Sequence, residues 1–545
     1  MKIALCQMNP IIGDIEGNKN KILEGYSRGI LDKVDLVIFP ELAICGYPPL
    51  DLVEKQEFRS KVLTATRFIA EKTSDVGIIF GSIIEVQENV GTGVYNSAVL
   101  CFNGKIQFIQ HKTLLPNYDV FDEVRYFESA KENNVIEFRG EILGISVCED
   151  IWNDADYWKQ RRYSVDPVQK QVDKGATILI NISASPYAYG RRKERGDMLS
   201  VLTKTDGLPL AYVCSTGAQT DLIFDGASMC FDKDGRLVKL GDKFAEDYII
   251  YDTKQYYPSI EEVESGYEEE VLLALIYGLK DYAYKTGFTK ALIGLSGGID
   301  SALVTYIAVK ALGAENVHAV MMPSQYSSEG SIKDSENLIK NLSISSDLIP
   351  IQPAFEKVKE VLAPTFNGKP EDVTEENLQS RLRGVYLMAL SNKFGYMLCT
   401  TGNKSEMAVG YATLYGDMNG ALGIIADVYK TQVYNICNYI NRHEEIIPAE
   451  IIQKAPSAEL RPDQKDEDSL PPYEFLDKIL FKYLEEYKEL NEIVEELGEP
   501  ETVERILKLV DKNEFKRKQA APALRVTTKA FGYGRRFPIV QRWNR

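Results

Sequence analysis

Short apolar runs alternate with stretches of helical period along the first half of the chain. The runs "KIALCQM", "VDLVIF", "VGIIFGSII", "YNSAVLCF", "KIQFIQ", "ILGISVC", "ATILINI" and "LAYVCS" read as strands. Between several of them, residues 15–31, 56–73 and 154–174 carry the apolar spacing of amphipathic helices. Strands rich in Ile and Val, separated by helices, predict α/β layering. "FDKDGRLVKL" supplies a hairpin turn at Asp234-Gly235.

An acidic, turn-rich segment, "YDTKQYYPSIEEVESGYEEE" (251–270), interrupts the pattern. It sets the boundary between a first domain, 1–255, and a second, 256–545. The second opens with a helix over 267–286, then a strand running into "LIGLSGGIDS". Strand "NVHAVMMP", helix 331–341, strand "DLIPI", helices 354–363 and 375–394 and strand "YMLCTT" follow. That rhythm predicts a doubly wound, Rossmann-like parallel sheet. Residues 473–512 are Glu/Lys-rich with helical period, the pattern of a solvated amphipathic helix pair packed on the domain.

Composition narrows the function class. At 545 residues the chain exceeds what one core usually covers, in keeping with two domains. Its 63 basic and 80 acidic residues leave a net charge of −17, which disfavours nucleic acid as the main substrate. Eight scattered cysteines (6, 45, 101, 148, 214, 230, 399, 437) include no C-x-x-C pair. They argue against a disulfide framework or a zinc ribbon, and for a reducing cytoplasm. Three widely spaced histidines (111, 318, 443) define no local metal site. The start, "MKIALCQMNP", has too short an apolar run for a signal peptide, and no uncharged apolar span reaches membrane length.

Three strand ends in the first domain carry reactive side chains. They are Glu41 in "VIFPELAICGYPPLDL", Lys112 in "FIQHKTLLPNYDVFDEVRYF" and Cys148 in "ISVCEDIW". A cysteine leaving a strand into a turn can expose its sulfur, with a nearby positive charge favouring the thiolate. A carboxylate can take the thiol proton and later activate water. A lysine can stabilise the oxyanion of a tetrahedral intermediate. Together they form an acyl-transfer site for amides that needs no histidine.

The order and positions of "FPE", "HK…LPNY…FDE.RYF" and "CEDIW" resemble the nitrilase superfamily of carbon–nitrogen hydrolases across nearly all of residues 1–255. The resemblance implies a four-layer αββα sandwich. It implies Glu41 as general base, Lys112 as oxyanion stabiliser and Cys148 as nucleophile. By the same resemblance Tyr118, Glu149, Ser185 and Arg191 fit a glutamine pocket, with Arg195 an alternative to Arg191.

The stretch Gly294-Leu295-Ser296-Gly297-Gly298-Ile299-Asp300-Ser301 lies between a strand and a helix. Its glycines let backbone N–H groups approach a phosphate, and the helix start behind them favours negative charge. Asp300 adds a carboxylate where an ordinary phosphate loop has lysine, which makes sense with Mg²⁺ between carboxylate and phosphates. This is the pattern of the ATP pyrophosphatase loop, used to make adenylates. Downstream, "ENLQSRLRGVYLMALSN", "LCTTGNKSEMAVGYATLYGD", "DVYKTQVY", "APSAELRPDQ" and "EFKRKQAAPALRVTTKAFGYGRRFPI" follow in series. With the first half, this resembles the glutamine-dependent NAD⁺ synthetase family over essentially the full chain.

That resemblance implies L-glutamine, ATP and deamido-NAD⁺ as substrates, Mg²⁺ as cofactor and a homo-oligomer. It implies ATP contacts from the loop, Thr401, Lys430 and Ser457, and a metal and phosphate role for Asp300 and Glu406. Asn377, Arg381, Glu406 and Lys516 would face the dinucleotide. It also implies an internal passage for ammonia. One departure stands out: Leu414 in "TLYGD" occupies a position where ammonia-only synthetases carry lysine, and it receives no substrate role. Other readings are a GMP- or asparagine-synthetase-like amidotransferase, or an amidase with a nucleotide-sensing second half. The first would need an N-terminal cysteine or a Cys-His elbow, yet residue 2 is Lys and Cys148 lacks flanking glycines.

Overall fold

Alternating side chains build two sheets in the first unit, Met1–Glu264. The structure, a computed structural model, describes residues 1–543 apart from 88–90, 262–264 and 463. Part of the acidic boundary segment and Asp463 of "RPDQ" therefore lie outside the described residues. The strands are β1 (Lys2–Gln7), β2 (Leu36–Ile38), β3 (Gly77–Glu85), β4 (Val94–Phe102), β5 (Lys105–His111), β6 (Val135–Phe138) and β7 (Glu141–Val147). They continue with β8 (Ile178–Ser183), β9 (Leu210–Cys214), β10 (Thr216–Gln219), β11 (Leu222–Asp225), β12 (Met229–Phe231), β13 (Leu237–Leu240) and β14 (Asp247–Asp252). One six-stranded sheet runs β14-β1-β2-β3-β4-β5 and the other β13-β12-β9-β8-β7-β6.

Period-two alternation then assigns the layers. Ile3 and Leu5 of β1 pack with Ile178, Ile180 and Ile182 of β8 in a core between the sheets. Ala4 and Cys6 face the other way, onto α1 (Ile15–Leu31) and α2 (Gln56–Glu71). On the far side, Leu179, Leu210 and Tyr212 pack with α3 (Pro167–Asp173) and α4 (Arg191–Asp206) through Val168, Met198 and Leu199. The result is a four-layer αββα sandwich.

Helix α1 covers the span its periodicity predicts, with Asp14 accepting the Gly17 N–H at 2.9 Å as its cap. The expected helix over 154–174 is real only at Pro167–Asp173. Proline at the first helical position fixes the start there, and Asp166 accepts the Gln169 N–H. Ahead of it the Asn153 amide donates to the Tyr163 and Val165 carbonyls, holding an irregular loop in place of a helix.

In the second unit, Ser265–Arg545, the sheet is parallel. Its strands are β15 (Ala291–Gly294), β16 (Val317–Met321), β17 (Ser345–Leu348), β18 (Met397–Thr400) and β19 (Leu422–Gly423), in the order β17-β16-β15-β18-β19. Around it lie α5 (Tyr267–Thr286), α6 (Ile299–Leu312), α7 (Glu329–Leu342), α8 (Gln352–Phe366), α9 (Val373–Phe394), α10 (Lys404–Val409) and α11 (Lys430–Ile440). The strand β17 ends before Pro350, which has no N–H for a ladder. Residues 473–512 form three helices, Tyr473–Leu484, Leu490–Leu497 and Pro500–Lys512, rather than a pair. Gly498, at φ +75°, and Pro500 at the next helix start enforce the second break. These helices share a core with Ala408 and Val409 of α10.

Candidate functional site

The first site grows from three strand ends. Glu41 follows β2, and the Gly81 N–H donates to the Pro40 carbonyl at 3.0 Å, holding that turn against β3. Gly81 is required at this approach, because a Cβ there would stand 2.0 Å from the Leu42 backbone nitrogen. Lys112 follows β5, its N–H donating to the Asn96 carbonyl at 2.8 Å. Cys148 follows β7 at φ +45°, a left-handed conformation that a non-glycine residue adopts at a cost.

Tertiary folding brings these residues into one buried network. Lys112 donates to Glu41 Oε1 at 2.8 Å and to Glu123 Oε1 at 2.8 Å. Asn96 donates to the same Glu41 oxygen at 2.7 Å, and the Ala184 N–H donates to Oε2 at 2.9 Å. Tyr47 donates to Glu123 at 2.8 Å. Burial pushes Glu123 above the ordinary carboxylate range; Lys112 opposes that shift, and the charge of Glu41 adds to it. The sulfur of Cys148 is buried rather than exposed, contrary to the strand-end expectation. Burial lifts its thiol well above the usual value, Glu41 adds to the lift and Lys112 counters it.

Glu149, next in the chain, accepts from Tyr118 at 2.8 Å and from Tyr163 at 3.0 Å. The Arg162 guanidinium stacks 3.7 Å from the Tyr118 ring centroid. Ser185 is buried beyond the end of β8. Arg191, at the start of α4, is part-exposed and pairs with Glu194 at 2.7 Å. Arg195 is fully buried and committed to Asp225 at 2.8 Å. Asp150 receives the Thr113 and Leu114 N–H groups at 2.9 and 2.7 Å, which pins the chain just after Lys112. Glu123, Asn96, Asp150 and Tyr163 were not singled out from the sequence. Glu123 and Asp150 sit inside the quoted motifs "FDE.RYF" and "CEDIW", where a second carboxylate beside the one already named is the available signal.

The second site lies at the carboxyl end of β15, where the strand order reverses toward β16 on one side and β18 on the other. A cleft of about 290 Å³ is lined there by Gly294, Leu295, Ser296, Gly298, Ile299, Asp300 and Ser301, and by Thr401, Glu406, Lys430 and Ser457. Gly297 holds the turn at φ +77°, where a Cβ would stand 2.4 Å from the Ser331 carbonyl oxygen. Ser301 Oγ donates to the Gly298 carbonyl at 2.9 Å, bracing the loop on α6.

Lys430 bridges Asp300 and Glu406, lying against Asp300 and 3.4 Å from Glu406. Asn403 donates to the other Asp300 oxygen at 3.1 Å. Burial raises Glu406; Lys430 opposes and Asp300 reinforces the shift. Ser457 donates to the Gln464 carbonyl at 2.5 Å, closing its own loop. Asn377, Arg381 and Lys516 gather on segment 410–414. Lys516 donates to the Gly410 and Ala412 carbonyls at 2.7 Å each, Arg381 to that of Leu414 at 3.2 Å, and Asn377 accepts from Thr413 at 2.9 Å. Arg383, Lys454, Glu459 and Asp466 also line the cleft and were not assigned from the sequence.

Comparisons with known proteins agree with both halves. Residues 2–257 match the carbon-nitrogen hydrolase family model, and residues 271–520 match the NAD synthase model. The glutamine-dependent NAD(+) synthetase of Synechocystis sp. is 46% identical, covering 99% of this chain and 98% of its own. That of Thermotoga maritima is 42% identical, covering 100% and 99%. The solved glutamine-dependent NAD+ synthetase of Acinetobacter baumannii, in complex with ADP, superposes with a TM-score of 0.77 at 36% identity over 100% of this chain and 99% of that one. With identity of this order sustained across nearly the whole of each chain, the protein belongs to the family of glutamine-dependent NAD(+) synthetases.

Proposed function

We propose that the chain hydrolyses L-glutamine to glutamate and ammonia in its first unit, and in its second amidates deamido-NAD⁺ to NAD⁺ with conversion of ATP to AMP and pyrophosphate. The reading is carried by one observation: identity of 46% with such a synthetase over 99% of the chain. The buried Glu41–Lys112 pair beside Cys148 and the phosphate-loop cleft fit the two half-reactions.

In the first, Cys148 Sγ attacks the side-chain amide carbon and its proton passes to Glu41. Lys112, charged and held by two carboxylates, faces the developing oxyanion. The proton on Glu41 goes to the departing ammonia. Water, deprotonated by Glu41, then cleaves the thioester to glutamate and returns the thiol. Glu149 would take the substrate ammonium group and Arg191 its carboxylate, with Tyr118 and Ser185 beside them.

In the second, the dinucleotide carboxylate attacks the α-phosphorus of ATP and pyrophosphate leaves. Ammonia then forms the C–N bond, AMP departs and one proton is released. The 294–301 loop and Lys430 bind the phosphates. Asp300 and Glu406 would hold Mg²⁺: both already reach one cation, the Lys430 ammonium, and oxygen donors suit a hard divalent ion. Among the described residues no group of three His, Cys, Asp or Glu could hold a metal. Bound there, Mg²⁺ supplies positive charge against the phosphates. Asn377, Arg381 and Lys516 would shape the dinucleotide side through segment 410–414.

All eight cysteines are unpaired, which fits work in the cytoplasm. No helix among the described residues is long and apolar enough to cross a membrane. Self-association of the chain is a further part of this reading, and light scattering tests it.

The decisive experiment is Cys148→Ala assayed with each nitrogen donor. Glutamine-dependent NAD⁺ formation should vanish while ammonium-dependent formation remains. Loss of both, or survival of both, contradicts the division of labour. Glutamine labelled in its amide nitrogen should deliver that label to NAD⁺ in the unsubstituted chain.

A further inference from the structure

One turn-spaced face of α9, made by Ser380, Arg383, Gly384 and Leu387, forms part of the wall of the nucleotide cleft. Arg383 is its charged member. Three basic side chains line the cleft: Lys430, Lys454 and Arg383. The first two already have carboxylate partners. Lys430 lies between Asp300 and Glu406, and Lys454 reaches Glu459 at 2.7 Å. Arg383 differs. Its Nε donates to the Met322 carbonyl at 3.1 Å, and among the described residues it forms no ion pair. That single bond orients the planar group, and among the described residues neither Nη has a protein acceptor. Burial pushes the guanidinium down to about 10, against the more distant pull of Glu459 and Asp417.

Arg383 is half-buried in the cleft wall, so its Nη edge is open to a ligand entering the cleft. The same cleft carries a phosphate loop whose ligand is polyanionic. We propose that Arg383 binds a phosphate oxygen of ATP through its free Nη edge, with the Met322 carbonyl holding the guanidinium in plane. This assignment rests on the synthetase reading above and adds a residue to it. Guanidinium groups pair with phosphate through two parallel N–H donors, which a lysine cannot reproduce.

The test is calorimetric titration of the full chain and of Arg383→Met with ATP, inorganic pyrophosphate, adenosine and deamido-NAD⁺. Arg383→Met should weaken ATP and pyrophosphate roughly ten- to hundredfold and change adenosine by less than about twofold. Arg383→Lys, which keeps the charge without the fork, should recover part of the ATP affinity. The ligand-free Arg383→Met protein should melt close to the unsubstituted chain, since a half-buried guanidinium outside any ion pair contributes little to the fold. Unchanged affinity for ATP and pyrophosphate would overturn the assignment. So would a loss confined to deamido-NAD⁺, which places the guanidinium on the dinucleotide, or an equal loss for adenosine with a lowered melting point, which makes it a packing residue. Failure of the unsubstituted chain to bind ATP would instead overturn the synthetase reading itself.

Discussion

Lys112 serves two buried carboxylates at once, and the pair behaves differently from either alone. Glu123 lies above the ordinary carboxylate range because burial disfavours its charge. As pH falls through that raised value, Glu123 takes up a proton and its charge no longer anchors Lys112. Glutamine hydrolysis should therefore decline on the acid side at a higher pH than an ordinary carboxylate would give. Glu123→Gln should lower kcat/KM roughly a hundredfold and abolish that acid limb, which a pH profile of glutaminase activity measures. An unchanged limb would assign it to another group. At this scale "FPE", "HK" and "CEDIW" pointed to the candidate residues that the fold gathers, because each is a single residue at or just beyond a strand end. Whether the sulfur is exposed was not legible. Exposure depends on two sheets and their helices closing over Cys148.

Elements position these residues through close backbone approaches. Gly297 is the clearest, since both its positive φ and its neighbour Ser331 forbid a side chain. Gly297→Ala should cost about 1–3 kcal/mol and raise the KM for ATP, leaving the KM for glutamine unchanged. Denaturant titration and steady-state kinetics read the two effects. Equal KM shifts for both substrates would mean the loop does not act locally. The strand–loop–helix around Gly297 was legible because its chemistry and its turn lie within eight residues. The loop ahead of Pro167 was not, because apolar spacing there reflects burial of Trp152, Tyr157 and Trp158 against the sheet rather than a helical stripe. A single proline with its Asp166 cap outweighed the periodicity.

At the scale of the whole molecule, a buried polar knot ties distant parts of the second unit together. Lys404 is fully buried and reaches Asp427 and Glu485 at 3.0 Å each, Thr527 Oγ1 at 2.7 Å and the Lys529 carbonyl at 2.9 Å. It joins α10, the loop before α11, the Tyr473–Leu484 helix end and the segment near 527. Lys404→Met leaves two carboxylates without their cation and should destabilise the fold by about 3–5 kcal/mol, seen as a lower denaturant midpoint. A shift below about 1 kcal/mol would show that the pairs act like surface contacts. By itself the sequence determined the two chemistries, the order of the two halves and the strand that each candidate of the first site follows. Those depend on residue type and on spacing within one or two turns. Only the tertiary structure decided that Glu123 shares Lys112, that Arg195 is taken by Asp225, and that Arg383 stands in the cleft without a counter-ion among the described residues. Desolvation and charge pairing are set by neighbours tens to hundreds of residues away, and no local pattern records them.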